Sequence, residues 1–228
     1  MANMWRRFQD LTGAQYPIVQ DGMGPSPTTK LAAAVSSAGG LGTVTSPSIT
    51  TGDEKFLREA LRAACEQVAS ETDGNFAVNV PAGRIATGEM LLVSKTCIDE
   101  ATKIKKDGGK VGEQLVALTT SAGFPGEFVS TIKDSGLVHI QKCGSVKHAI
   151  KAAEVGVDVI IASGAEMGGH THLVPVHTMV LAPQVIDALD IPVVVSGGLA
   201  DGRGLAAVLA MGAAAGAFGT RFIATQEH

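Results

Sequence analysis

The sequence is poor in aromatic residues and cysteine, and it contains no long apolar run. Aromatic residues make up 4% of its 228 residues, so a core has to be built mainly from Ala, Val, Ile and Leu. Its three cysteines, Cys65, Cys97 and Cys143, are far apart and odd in number. This excludes a disulfide scaffold and a Cys-x-x-Cys metal site, and it suits a reducing compartment. The longest apolar run, 205–218, is shorter than the about 18 residues that a membrane-spanning helix needs.

The charge distribution excludes further classes of protein. Lys and Arg number 18 against 22 Asp and Glu, a net charge of −4, and no basic stripe offers a nucleic-acid footprint. Residues 1–13 carry charge but no apolar stretch of the kind that a secretory signal needs. With 45% hydrophobic and 18% charged residues, the composition is not that of a disordered chain. We therefore expect a soluble cytoplasmic protein, with residues 1–228 in a single domain, no nucleic-acid or membrane partner, and an oligomeric state that stays open.

Short β-branched runs alternate with longer helical stretches along the chain. The strand runs are continuously apolar, as expected for a parallel sheet covered on both faces, and helical crossovers force consecutive strands to be parallel. The predicted strands are 16–20, 41–45, 75–80, 114–119, 137–141, 157–162, 192–196 and 217–223. The predicted helices are 28–38, 53–68, 90–105, 125–135, 145–154, 181–189 and 204–211.

Eight strands with a helix between each consecutive pair favour an α/β fold, the (β/α)₈ or TIM barrel. An open doubly wound sheet is the alternative. A barrel of this kind typically has about 250 residues and an eighth helix, whereas this chain stops at His228, directly after the predicted eighth strand. We therefore expect a barrel without its eighth helix and C-terminal cover, in a chain truncated at the C terminus.

Ligands of such barrels bind at the carboxyl ends of the strands, and two neighbouring strand ends here are rich in glycine. Gly197 and Gly198 follow the seventh predicted strand, and Gly219 and Thr220 lie at the eighth. Open backbone N–H groups there would suit a phosphate, at the position common in these barrels. The alternative is that these glycines only form tight turns.

Two side chains at the predicted barrel mouth could carry chemistry. Lys142 ends the apolar fifth strand, where it could pair with an anionic ligand or extend its ammonium into solvent, while Cys143 would pack against the helices. His170 follows a Gly-Gly pair and could act as a general acid or base, the alternative being an ordinary loop histidine. A metal held by His170 and His172, with Glu166 nearby, is not expected, because that spacing suits a strand better than a glycine-rich loop.

Several segments resemble the nitronate monooxygenase family, formerly called 2-nitropropane dioxygenases. They span nearly the whole chain in the expected order and are specific for the family, though not for a subfamily. FMN-dependent enoyl-acyl-carrier-protein reductases and NADH:quinone reductases are close relatives of that family. The resembling segments are 16–24 (YPIVQDGMG), 34–44 (AVSSAGGLGTV), Asn79 after the third strand, 139–170 (ending in EMGGH) and 191–225 (beginning IPVVVSGGLADG).

The resemblance implies a barrel that binds FMN non-covalently. It places a lysine by the N1–O2 edge of the flavin, where a cation would stabilise the anionic reduced ring. Asp21 departs from the family, since a small residue is common there, and it brings a carboxylate near the flavin or its substrate. The residues implied are Gly197, Gly198, Gly219 and Thr220 for the phosphate, Met23 and Asn79 beside the ring, Lys142 at its N1–O2 edge, Ser163, Gly164 and Gly168 along the ribityl chain, and His170 as the active-site histidine.

The resemblance also implies an activity on a small molecule. The first expectation is an FMN-dependent monooxygenase that denitrifies alkyl nitronates with O₂, in which His170 positions the nitronate or removes the α-proton of a nitroalkane. One alternative is an FMN-dependent reductase of enoyl thioesters or quinones, with NAD(P)H as co-substrate. Another is a flavin-binding protein without turnover.

Overall fold

Eight short strands alternate with helices in the computed structural model, which describes residues 3–24, 28–47, 53–84, 87–169 and 172–228. The strands are β1 (Ile18–Gln20), β2 (Gly42–Thr45), β3 (Phe76–Pro81), β4 (Leu115–Ser121), β5 (Val138–Cys143), β6 (Val159–Ser163), β7 (Val193–Ser196) and β8 (Ala215–Phe218). The helices are α1 (Met4–Thr12), α2 (Thr29–Ser37), α3 (Glu54–Glu71), α4 (Leu92–Asp107), α5 (Gly109–Gln114), α6 (Val129–Lys133), α7 (Val146–Glu154), α8 (Thr178–Asp187), α9 (Gly202–Ala210) and α10 (Thr220–Ile223).

The strands form a closed parallel barrel. Their order is β1-β8-β7-β6-β5-β4-β3-β2, and each neighbouring pair in that order is parallel. A parallel bridge between Val19 and Leu41 joins the two ends of this order, and the N–H of Gln20 donates to the carbonyl of Leu41 at 2.9 Å. The predicted (β/α)₈ barrel is therefore confirmed, and the alternative of an open doubly wound sheet is wrong, because the strand order never reverses.

The last predicted strand, 217–223, is wrong in its second half. Strand β8 ends at Phe218, and Thr220–Ile223 form helix α10 instead. The pairing of β8 with β1 stops where Phe218 lies opposite Gln20, so the following residues have no strand beside them. A short helix thus follows β8, where the sequence predicts none. Helices α1 and α5 are also absent from the sequence prediction.

The side chains of β3 show how the barrel wall separates two apolar layers. Phe76 and Val78 pack outward against helix residues such as Leu57 and Ile98. Ala77, between them, packs into the barrel interior, because successive side chains of a strand point to opposite faces. The interior is filled by small and β-branched residues from the strands and the Val19–Leu41 bridge: Val19, Leu41, Ala77, Ala117, Ile140, Val159, Ile161, Val194, Ala215 and Ala217.

Helix α1 covers the end of the barrel at which the strands begin. Phe8 is fully buried against the interior residues, and Trp5 and Leu11 pack beside it. The side-chain amide of Asn75, the residue just before β3, donates to the carbonyl of Thr12 at 2.9 Å and ties the helix to this end. The opposite end, where the strands finish, is the barrel mouth, the place where this fold binds its ligands.

The three cysteines of the chain lie buried in its core. Cys65, Cys97 and Cys143 are free and buried, and burial raises the pKa of each thiol to about 12. They are therefore neutral packing groups at physiological pH, as predicted for Cys143. Within the described ranges, no helix combines the length and apolar character needed to cross a membrane.

Candidate functional site

The barrel interior changes from apolar to polar at the last inward position of most strands. Residues i and i+2 of a strand share a face, so the residue two positions after an interior apolar residue also points inward. At the mouth these residues are polar or charged and mostly buried, whereas the level below is apolar. The pairs are Val19 and Asp21, Ala77 and Asn79, Ala117 and Thr119, Ile140 and Lys142, Ile161 and Ser163, and Val194 and Ser196. We call Asp21, Asn79, Thr119, Lys142, Ser163 and Ser196 the mouth ring.

Two members of the mouth ring, Lys142 and Ser196, bind a third, Asp21. Lys142 Nζ and Asp21 Oδ1 form an ion pair, with only 12% and 10% of the two side chains exposed. The hydroxyl of Ser196 donates to the other carboxylate oxygen of Asp21 at 2.8 Å. Lys142, which the sequence predicts to point toward the mouth, thus contacts Asp21, the residue that follows β1.

Other polar atoms at the mouth are buried without a partner. In the described part of the chain, Asn79 Oδ1, Ser163 Oγ, Thr45 Oγ1 and Ser46 Oγ make no hydrogen bond. A buried polar group without a partner costs about 1–3 kcal/mol, so folded proteins seldom keep several in one place. Their position at the ligand-binding end of the barrel indicates that they are kept for a ligand with both hydrogen-bond donors and acceptors.

The loop after β1 brings predicted site residues together. Gly22 lies against Asn79 so closely that a Cβ on it would come within 2.4 Å of Asn79 Cγ. Beyond it, Met23 reaches the end of β8, where its sulfur lies 3.8 Å from the position that a Cβ of Gly219 would take. Met23, Asn79 and Gly219 therefore border one region at the barrel mouth.

The loop after β6 is held by helix α8. The carboxylate of Glu166 accepts hydrogen bonds from the backbone N–H of Thr178 at 2.9 Å and from the Thr178 hydroxyl at 2.7 Å. It also accepts one from the imidazole of His177 at 3.0 Å. These bonds, above all that from the Thr178 hydroxyl, lower the pKa of Glu166 to about 2. The carboxylate thus stays ionised and fixes the loop. Thr178 also packs onto Gly164 and Gly197, where a Cβ would lie 2.0 Å and 2.6 Å from its hydroxyl oxygen.

The glycines predicted for the phosphate lie at adjacent strand ends. Gly197 and Gly198 have φ angles of +115° and +74°, a left-handed region that L side chains rarely adopt, so the turn itself requires glycine at both positions. Gly219 and Thr220 join β8 to α10 on the neighbouring strand. Among the described residues, no backbone carbonyl accepts from the N–H groups of Gly198, Gly219 or Thr220, which leaves these donors free for an anion.

Gly168 differs from the other glycines of the site. Apart from its two chain neighbours, no atom of the described residues lies within 4 Å of the position that its Cβ would occupy, and its φ is not in the left-handed region that favours glycine. Among the described residues, neither packing nor strain accounts for glycine at this position, and the role of Gly168 beside a bound molecule stays a prediction.

The predicted catalytic His170 lies outside the described residues. His172, two residues further along the chain, is described: its ring packs onto Gly144, where a Cβ would lie 2.2 Å from His172 Cδ2, and its Nε2 lies 3.2 Å from His148 Nδ1. Burial, and then repulsion from His148, lower the pKa of His172. His172 therefore packs against the start of the β5–α7 connection. In the described ranges, no group of three or more His, Cys, Asp or Glu side chains is placed to hold a metal ion.

Sequence reasoning missed two residues that organise this site. Ser196 binds Asp21, and it could have been found because it lies two positions after the interior Val194. Thr178 joins Glu166 to the turn after β7, since its hydroxyl also lies 3.1 Å from the carbonyl of Gly197. No local pattern signals the role of Thr178, because its partners come from two other loops.

The chain matches the family model described as nitronate monooxygenase over residues 6–228. This match covers nearly all of the sequence. The chain belongs to the nitronate monooxygenase family.

Two proteins that are similar to this chain are named for different activities. A Rhodococcus jostii protein named (3aS,4S,5R,7aS)-5-hydroxy-7a-methyl-1-oxo-octahydro-1H-indene-4-carboxyl-CoA dehydrogenase is 37% identical over 227 residues, which cover 100% of this chain and 57% of that protein. A probable nitronate monooxygenase of Staphylococcus aureus is 30% identical over 254 residues, covering 98% of this chain and 70% of that protein. The structure of FabK from Thermotoga maritima has a TM-score of 0.80 and 33% identity, covering 97% of this chain and 63% of that one. The chain thus spans little more than half the length of the Rhodococcus relative.

Two serines at paired positions of the mouth ring test whether its unpartnered atoms are kept at a cost. Ser163 and Ser196 lie opposite each other on β6 and β7, and both are buried. Without added ligand, Ser163→Ala should raise the free energy of unfolding by about 1 kcal/mol, because it removes a buried hydroxyl without a partner. The matched Ser196→Ala should lower it by about 1 kcal/mol, because Asp21 loses a donor. Urea unfolding measures both, and equal destabilisation by the two variants would contradict this interpretation of Ser163.

Proposed function

We propose that this chain holds FMN at the mouth of its barrel and acts as a flavin-dependent oxidoreductase. The observation that carries the proposal is the set of buried, unpartnered polar atoms at the mouth, above all Asn79 Oδ1 and Ser163 Oγ. The pyrimidine edge of the flavin ring carries an N–H that can donate to the Asn79 oxygen, and the ribityl hydroxyls can pair with the Ser163 hydroxyl. When bound, FMN supplies reversible transfer of a hydride equivalent, a chemistry that side chains alone do not provide.

In this proposal, different residues around the mouth bind the phosphate, the ribityl chain and the ring of FMN. The free N–H groups after β7 and β8 bind the phosphate, and the ammonium of Lys142 stabilises negative charge at the N1–O2 edge of the ring. Small residues after β6 leave room for the ribityl chain. The full assignment is Gly197, Gly198, Gly219 and Thr220 for the phosphate, Ser163, Gly164 and Gly168 for the ribityl chain, and Met23, Asn79 and Lys142 for the ring.

The substrate class supported best is a thioester, which is oxidised or reduced beside the carbonyl. The support is that the Rhodococcus relative, whose name describes dehydrogenation of a CoA thioester, is 37% identical to this chain, whereas the Staphylococcus nitronate monooxygenase is 30% identical. In this reaction the chain's task is to orient the thioester above the ring and to exclude water. NAD(P)H is the co-substrate if the reaction runs in the reductive direction.

Oxidation of alkyl nitronates by O₂ is the second candidate. The family model that matches residues 6–228 carries this activity in its description. No nicotinamide is needed for it. The chain's residues would bind an anionic nitronate near the ammonium of Lys142, and His170 would position it or take the α-proton of a neutral nitroalkane.

The two candidates differ in what reduces the bound cofactor. Under anaerobic stopped-flow mixing, we expect NAD(P)H or a saturated acyl-CoA to bleach the visible absorbance of the oxidised flavin. A nitronate should bleach it more slowly or not at all. Rapid bleaching by nitronate alone would reverse the order of the two candidates. A protein that binds FMN and is bleached by none of the three would be a flavin-binding protein without turnover.

His170 and His172 provide a matched pair of histidine variants in one loop. His170→Asn should leave FMN bound and lower turnover of the reducible substrate or neutral nitroalkane by about 10²–10⁴-fold, the usual range for a general acid or base. A preformed nitronate should be affected less, because its α-proton is already gone. His172→Asn should cost less than about tenfold, since His172 packs on Gly144 and His148. A severe His172→Asn variant beside a mild His170→Asn variant would exclude this assignment.

A further inference from the structure

The Asp21–Lys142 ion pair crosses the barrel mouth. Lys142 belongs to β5, and Asp21 directly follows β1. In the closed order β1-β8-β7-β6-β5-β4-β3-β2, these two strands are four steps apart in either direction, so they lie on opposite sides of the barrel. The two charged side chains therefore meet across the barrel axis, beneath any molecule seated on the mouth.

The pair is largely shielded from water, and the rest of the mouth ring is uncharged. Asp21 and Lys142 are 10% and 12% exposed at their side chains, and Asn79, Thr119, Ser163 and Ser196 complete the ring. A buried ion pair carries no net charge, whereas removing one partner leaves an uncompensated charge in a poorly screened place. Any change in this pair therefore changes the electrostatic potential at the mouth directly.

Resting on the proposed function, we infer that Asp21 is the counter-ion of Lys142 that sets the reduction potential of FMN at the mouth. Lys142 alone would favour the reduced flavin, because conversion of FMN to its anionic reduced form adds two electrons and one proton and leaves one more negative charge on the ring. Asp21 offsets that attraction. Asp21 acts as a positioning residue, because one of its carboxylate oxygens holds the Lys142 ammonium over the barrel axis. The other oxygen accepts a hydrogen bond from the Ser196 hydroxyl at 2.8 Å.

The test is a charge cycle of four proteins, namely the wild type, Asp21→Asn, Lys142→Met and the double variant. Asparagine keeps the size and the acceptor oxygen of Asp21 and removes only its charge. The reduction potential of bound FMN is measured by anaerobic titration with dithionite, which supplies the electrons, against a reference dye. Asp21→Asn should raise the reduction potential of FMN, and Lys142→Met should lower it. Each substitution should change the ratio of the dissociation constants of oxidised and reduced FMN by at least about tenfold, which corresponds to about 30 mV for a two-electron couple.

The double variant is the decisive member of the cycle. It has no net charge at the pair, as in the wild type, so its potential should return close to the wild-type value although the ion pair is gone. If Asp21 had only a structural role, each substitution would disturb the site by itself. The double variant would then differ from the wild type more than either single variant does. Should Asp21→Asn not fold, the comparison of Lys142→Met with the double variant makes the same test, because the double variant should lie higher by the same amount.

Asp73→Asn is the matched control. It removes the same charge from an exposed residue that pairs with Lys110 beside the start of β3, at the opposite end of the barrel. The reduction potential of FMN bound to Asp73→Asn should equal that of FMN bound to the wild type.

Binding of FMN to each protein is measured first, by absorbance. A wild-type protein that binds no FMN overturns the proposed function and this inference together. FMN bound in all four proteins with an unchanged potential in Asp21→Asn overturns the inference alone.

Discussion

Closure of the barrel is the constraint on which the rest of this structure depends. Once the Val19–Leu41 bridge joins the two ends of the sheet, every inward side chain has to share one narrow interior. The strands meet this limit with small and β-branched residues such as Ala77, Ile140 and Ala217. The same closure brings Asp21 and Lys142, from opposite strands, within reach of one ion pair. An open sheet would hold those charges far apart.

The loops above the mouth are built on this rigid wall. Glu166 and Thr178 join the loop after β6 to helix α8 and to the turn at Gly197, so hydrogen bonds connect three separate segments of the chain. Inside this hydrogen-bonded framework, Asn79 Oδ1 and Ser163 Oγ are buried without a partner. A site whose frame is satisfied while its inner surface is not is prepared for a ligand rather than for its own stability, which is a common compromise at functional sites.

The sequence is informative about the barrel because its signal is local and repeated. Runs such as Val193–Ser196 followed by glycine indicate both a strand and its ligand-binding end, so the first seven strands could be predicted to within two residues at either end. Helix α1 could not, since residues 4–12 are too polar to suggest a cover for an apolar barrel. Nor could the end of β8, because its limit is set by the three-residue β1 beside it. Lys142 could be placed at the mouth, yet its pairing with Asp21 depends on closure, which no short segment encodes.

The central claim is that the mouth binds FMN through the strand ends of β7 and β8. The most direct test compares the affinities of FMN and riboflavin for the protein, measured by fluorescence quenching. Riboflavin lacks only the phosphate. If free N–H groups such as those of Gly198 and Gly219 bind that phosphate, one FMN should bind per chain, and riboflavin should bind about a hundredfold more weakly, the effect of losing one or two charge-assisted hydrogen bonds. Equal affinities for the two flavins, or no saturable binding of either, would contradict the account.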